Sequence, residues 1–197
     1  MAIRVNHYER KREIIHKSIH LFSQVGYDNV SLIMIANAAG VARTVLYRYF
    51  CSKREVLDAA IRDTISLIMD ECKTVAETEK TYARKLEAVC GRMAEIFFVK
   101  KEFLIAICDF VIAMVRSGAD MTGRVADFTS IFRELFSSIL VKGKECREFS
   151  KDLDVERVTD SVYSHFESLA IRIMLGSERD PSAAKARFAD VIAAISV

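Results

Sequence analysis

The chain has 197 residues, a formal net charge of +2 and 51% hydrophobic residues, enough apolar side chain for one core or two abutting ones. One Pro, no Trp and seven Gly leave few breakers, which predicts a nearly all-helical protein. Five Cys, at 51, 72, 90, 108 and 146, form no C-x-x-C and have no nearby His partner, so neither a disulfide framework nor a zinc site is expected.

The charge is uneven. Residues 1–62, Arg4 included, hold ten Lys/Arg against five Asp/Glu, a balance of +5 that leaves −3 for the remainder. A basic N-terminal part ahead of an acidic body suits a polyanion partner for the first part only. The N-terminus has no apolar run ending in a small-residue cleavage site, so no signal peptide is expected. The longest apolar run, 103–115, contains Asp109 and is too short to span a bilayer. A soluble, cytoplasmic protein is the expectation.

In chain order, Ile14, Ile15, Ser18, Phe22 and Val25 recur at helical spacing and predict a first helix over Tyr8–Val25, ended by Gly26. Asp28-Asn29 make a turn, and Ser31 is the expected N-cap of a second helix over 31–38. The stretch Ser31–Phe50, SLIMIANAAGVARTVLYRYF, is the most informative in the chain. Ala36 is small enough to let another helix cross closely. Gly40 sits where a three-residue turn wants a left-handed backbone. A third helix over 42–48 then turns Val45 and Leu46, with Val41, to the core. Arg43, Thr44, Tyr47, Arg48 and Tyr49 are left facing outward. That is the plan of a helix-turn-helix, whose second helix enters a DNA major groove.

Ser52 with Glu55 three residues on makes a capping box that opens a fourth helix over 52–74. It bridges an N-terminal domain of residues 1–53 and a body of residues 54–197, with 75–80 as the softest boundary. Helices are then expected over 81–98, 101–116, 122–142 and 154–175. Gly176 ends the last of these, and Asp180-Pro181 opens a ninth that runs to Ile195. Glu102, Asp109 and Arg116 fall at seven-residue intervals on one stripe, which predicts that Asp109 faces solvent or an ion pair. Cys51, at the start of the fourth helix beside Lys53 and Arg54, is the one thiol whose setting raises the question of a redox role.

Residues 10–57 closely resemble the N-terminal domain of the tetracycline-repressor (TetR) family. The landmarks are Ile15, Ala-like Ser18, Phe22, Gly26-Tyr27, Ser31, Ile35-Ala36, Ala39-Gly40-Val41, Leu46-Tyr47, Tyr49-Phe50 and Lys53. The resemblance implies an all-α fold: a three-helix DNA-binding domain followed by a helical effector-binding and dimerisation domain, about nine helices in all. It implies that Arg43 and Thr44 meet base edges. Tyr47, Tyr49, Lys53 and Ser31 would hold phosphates, and Arg48 a base or the backbone. An Arg at the start of the recognition helix favours guanine O6 and N7. Two departures thin this set: Ala42 stands where a Ser or Thr usually caps the recognition helix, and Val45 where a hydroxyl residue is common.

The resemblance further implies a homodimer on a pseudo-palindromic operator, joined through the last two helices. Their apolar stripes, Val158, Val162, Phe166 and Leu169 with Phe188, Ile192 and Ile195, are the expected interface. It also implies a pocket in the aromatic body for a small apolar or aromatic effector, with Met93, Phe97, Phe110, Met114, Phe128, Phe132, Tyr163 and Phe166 as its lining. The function expected is that of a ligand-responsive repressor. The alternative is a DNA-binding regulator governed by a protein partner or by no effector. No nucleophile–base constellation, phosphate-binding Gly loop or metal spacing occurs, so no enzyme activity, cofactor or metal is expected.

Overall fold

The computed structural model describes residues 7–196, so Arg4 and the segment behind the signal-peptide expectation lie outside the described residues. The elements are α1 (His7–Val25), α2 (Leu32–Ala38), α3 (Arg43–Tyr47), α4 (Lys53–Thr78), α5 (Tyr82–Val99), α6 (Lys101–Arg116), α7 (Thr122–Glu145), α8 (Val155–Leu175) and α9 (Pro181–Ala193). Strand pairing among the described residues amounts to a single bridge, Phe149 with Ser196. Among the described residues, no helix is long and apolar enough to cross a membrane.

The helix ends follow from local chemistry. Ser31, Thr81, Asp154 and Asp180 are N-caps whose side chains accept from the N–H of Met34, Arg84, Arg157 and Ser182. Each satisfies a donor that the first turn leaves without a partner. Pro181 occupies the first turn of α9, as expected. Gly176 closes α8 in the left-handed region, at φ +73°. Helix α4 outruns its expected end: residues 75–78 are helical, because VAET contains no breaker that would stop it.

The chain forms two compact units. One comprises the residues up to Ile65 together with Glu102–Met121, and the other Ser66–Lys101 with Thr122–Val197. The division thus falls inside α4, after Ile65, rather than at residue 53, and α6 belongs with the N-terminal helices.

In the second unit α5 packs on α7, α8 and α9. Phe166 is its aromatic centre. It stacks on Phe136 (ring centroids 5.6 Å apart) and Phe188 (4.3 Å) and meets Phe97 edge-on (5.7 Å). Gly143 exists to admit Phe149: a Cβ there would lie 2.3 Å from that ring. The adjacent Glu148 carboxylate accepts from the N–H of Tyr82 (2.5 Å) and Ala83 (3.1 Å), so it caps α5 from outside the helix. Of the five thiols, Cys72 and Cys90 are buried, Cys108 is half-buried, and Cys51 and Cys146 are exposed. Burial pushes the Cys72 thiol up to about 12. It also raises those of Cys90 and Cys108.

The residues expected at a dimer interface lie mostly inside the chain. Val162, Phe166, Leu169, Phe188 and Ile192 are buried within the single chain, while Val158 and Ile195 are half-buried. The first five therefore fill the chain's own core and leave little surface for a partner. The outer face of α8 instead carries Ser161, Ser164, Ser168, Ile171 and Leu175, all exposed, at alternating three- and four-residue steps. Ile171 and Leu175 are 52% and 78% exposed.

Candidate nucleic-acid interface

The interface is built on α1, α2 and α3. Ile14, Phe22, Ile35, Ala36 and Leu46 are essentially inaccessible and form its core. The turn between α2 and α3 is closed by Gly40 N–H to Asn37 O (3.1 Å) and Val41 N–H to Ala36 O (3.0 Å). Gly40 holds φ +63°, a conformation open to glycine without a Cβ penalty. Helix α3 is short, and its N-cap, Ala42, makes no side-chain capping bond. The loss expected from that departure is real.

Leu46 anchors α3, and Val41 and Val45 are half-buried beside it. Arg43, Thr44, Tyr47 and Arg48 are exposed. They occupy the outward face assigned to them, and none makes a side-chain hydrogen bond or ion pair within the described residues. Ser31 is exposed and serves as a cap, accepting from Met34 N–H at 3.3 Å. The capping box forms with a shift: Glu55 N–H donates to Ser52 Oγ (3.1 Å), but the Glu55 carboxylate accepts from Cys51 N–H (2.7 Å).

Two expected phosphate ligands are occupied internally. The Tyr49 hydroxyl hydrogen-bonds His7 Nδ1 at 2.8 Å. Lys53 Nζ donates to the carbonyls of Tyr27 (2.6 Å) and Asp28 (2.9 Å) and lies 4.5 Å from the Tyr27 ring centroid. With two of three ammonium donors used, Lys53 ties the α1–α2 turn to α4 and keeps one donor for an outside acceptor. In the basic run 10–12, Arg10 pairs with Glu13, Lys11 lies over Phe50 and Arg12 over Tyr8.

A further correction concerns Asp109. Its carboxylate accepts from the backbone N–H of Tyr27 at 2.5 Å, instead of facing solvent or a cation. Its stripe neighbours behave differently: Glu102 lies 2.9 Å from His20 Nδ1, and Arg116 is exposed. The signal in the sequence was a lone carboxylate inside an apolar run.

The proposed effector residues divide between the units. Phe110 and Met114 lie in the first, where the Phe110 ring packs edge-on against Tyr27 with centroids 4.8 Å apart. Met93, Phe97, Phe128, Phe132, Tyr163 and Phe166 lie in the second. Met93, Phe132 and Phe166 are buried, and burial pushes the Tyr163 phenol up to about 12. The second unit also has an open groove of about 490 Å³ along α4, α5 and α9, floored by Ala88, Gly91, Ala186 and Ala189. Its charges neutralise one another: Arg84 pairs with Glu87, and Arg92 and Lys185 both pair with Glu95. None of the expected effector residues lines it.

Comparison with known proteins agrees with this geometry. Residues 14–60 match the family model of bacterial regulatory proteins of the tetR family. The chain is 18% identical over 173 residues to a fatty acid metabolism regulator protein of Bacillus subtilis (strain 168), covering 85% of this chain and 84% of that one. It is 24% identical over 147 residues to the HTH-type transcriptional repressor KstR2 of Rhodococcus jostii (strain RHA1), covering 75% and 71%. The fold matches that of the transcriptional regulator FadR from Bacillus subtilis in complex with stearoyl-CoA, with a TM-score of 0.79 at 18% identity over 92% of this chain and 96% of that one. With its all-helical architecture and an exposed third helix carrying Arg43 and Arg48, the chain is similar to regulators of the TetR family, in sequence over residues 14–60 and in fold along most of its length.

Proposed function

We propose that the protein is a homodimeric repressor that binds a pseudo-palindromic operator and leaves it when an apolar effector binds. The observation that carries the operator-binding half is the outward face of α3. Arg43, Thr44, Tyr47 and Arg48 are exposed on a helix seated by the fully buried Leu46. Arg43 and Thr44 are assigned to base edges, and Tyr47 to a phosphate. Ser31, Tyr49 and the remaining donor of Lys53 are supporting contacts, and Arg48 takes a base or the backbone.

One such unit offers few base contacts, so useful affinity calls for two of them on a two-fold axis. The α8 face bearing Ile171 and Leu175 is the proposed dimer surface. Its three serines allow helices to approach closely, and the two apolar side chains are exposed in a single chain.

The effector class follows from relatives and composition together. One similar regulator is named for fatty acid metabolism and a similar structure holds stearoyl-CoA. The second unit buries Phe132, Phe136, Phe149, Phe166 and Phe188, with Met93. A long-chain acyl thioester is the class to test, against Met93, Phe97, Phe128, Phe132, Tyr163 and Phe166. The test is selection of bound duplexes from a random pool, followed by titration of the complex with stearoyl-CoA. An inverted repeat, released by micromolar acyl-CoA and not by free coenzyme A, supports the reading. Enrichment of no sequence overturns it.

A further inference from the structure

Tyr27 is the point where three helices of the N-terminal unit meet. Gly26 takes the chain out of α1 at φ +84°, and the N–H of Tyr27 is then past the last turn, where no intrahelical carbonyl receives it. Asp109 Oδ2, from the middle of α6, accepts that proton at 2.5 Å. A Cβ on Gly26 would lie 3.4 Å from the same oxygen, in ordinary van der Waals contact, so it is the positive φ that calls for glycine here. The carbonyl of Tyr27 is taken by Lys53 Nζ, at the start of α4, at 2.6 Å. The ring is 5% exposed and packs between Phe22 of α1 and Phe110 of α6, with centroids 5.8 and 4.8 Å away.

We infer that Asp109 is a positioning residue for DNA binding: α6 fixes the α1–α2 turn through the Tyr27 amide, and the turn fixes Lys53 through the Tyr27 carbonyl. The two polar groups belong to successive peptide planes, so the coupling is mechanical, through the Tyr27 α-carbon. Downstream of that turn lies Ser31, the cap of α2, and with it the helix-turn-helix. A carboxylate on a backbone N–H is a charge-assisted bond, stronger than a neutral one. A second polar tie between α6 and α1, Glu102 with His20, is exposed on both sides and holds little. Position of α6 and affinity for DNA are therefore linked at one residue. This deepens the reading of the protein as an operator-binding regulator and rests on it.

The experiment compares the full-length wild type with Asp109→Ala, Asp109→Asn, Lys53→Met and the Asp109→Ala/Lys53→Met double variant. Each is titrated against one selected duplex at fixed salt. Asp109→Ala is expected to weaken binding roughly tenfold without changing which bases are preferred. Asp109→Asn, which keeps an acceptor oxygen, recovers most of the loss. The double variant binds about as well as the weaker single variant, because both act through Tyr27. Wild-type affinity in Asp109→Ala, or single effects that multiply, overturns the inference. Should Asp109→Ala fail to fold, amide exchange in the wild type decides. Tyr27 N–H protected well beyond Asp28 and Asn29 supports the tie, and exchange at the rate of a free peptide refutes it. A wild type that binds no duplex overturns the operator-binding reading and this inference with it; wild-type binding with an inert Asp109→Ala overturns the inference alone.

Discussion

Lys53 holds Tyr27 twice, with Nζ 2.6 Å from the Tyr27 carbonyl oxygen and 4.5 Å from the centroid of the Tyr27 ring. The side chain that sequence alone assigns to a phosphate is first a structural tie between the α1–α2 turn and α4. Lys53→Ala is therefore expected to lower stability by about 1–3 kcal/mol, the range for a lost charged hydrogen bond. Its affinity should fall alike on all duplexes. Urea unfolding and duplex titration check the two effects, and a loss of affinity with unchanged stability would return Lys53 to a purely phosphate-binding role.

Ala42 caps α3 at φ −64° and ψ 148° with no side-chain bond. That backbone suits a capping hydroxyl, so Ala42→Ser should stabilise the N-terminal unit by about 0.5–2 kcal/mol. The new hydroxyl also lies beside the expected phosphate path. The variant should melt higher and bind DNA at least as well as the wild type, which calorimetry and duplex titration measure.

Arg43 is exposed at the first position of α3. Arg43→Ala should cost about 1–3 kcal/mol on the preferred site, the usual cost of a lost bidentate base contact. Sites altered at one position of each half should lose much less. Repeating the duplex selection with the variant checks this: base preference relaxes at that position and persists elsewhere.

Leu175 is 78% exposed on the outer face of α8, one turn beyond Ile171. If that face joins two copies, burying a Leu there contributes about 1.5–3 kcal/mol per copy. Leu175→Glu should shift the protein from dimer to monomer in sedimentation and weaken operator binding in step. The fold, followed by circular dichroism, should survive, since the side chain takes no part in the core.

Gly143 faces the Phe149 ring at a distance no Cβ tolerates. Gly143→Ala should destabilise the second unit by about 1–3 kcal/mol through overpacking. Phe149→Ala leaves a cavity instead. Adding it to Gly143→Ala should remove the part of the steric loss due to the ring, while the contact with Tyr82 Cβ at 2.9 Å remains, a non-additivity that thermal unfolding of the pair reveals.

Much of the fold was legible because it is written in local chemistry. Ser31, Gly26, Gly40, Gly176 and the Asp180-Pro181 pair each act within a few residues of their own position. The outward face of α3 was legible too, since Arg43, Thr44, Tyr47 and Arg48 lie on the polar side of a short amphipathic helix. What the sequence did not reveal has another cause. Lys53 and Asp109 are bound by backbone groups of Tyr27, and a backbone acceptor or donor leaves no mark in side-chain sequence. Asp109 and its partner are separated by 82 residues. Apolar spacing on α8 looks the same in sequence whether it fills the chain's own core, as Val162, Phe166 and Leu169 do, or a partner's.

The most direct measurement is the affinity of the full-length protein for its selected duplex as a function of salt, with Arg43→Ala and a scrambled duplex alongside. Operator binding through α3 predicts a steep linear fall of log affinity with log salt, as phosphate contacts release counterions. It also predicts a preference for the selected duplex that Arg43→Ala largely erases. Equal affinity for both duplexes, or a preference untouched by Arg43→Ala, would contradict it.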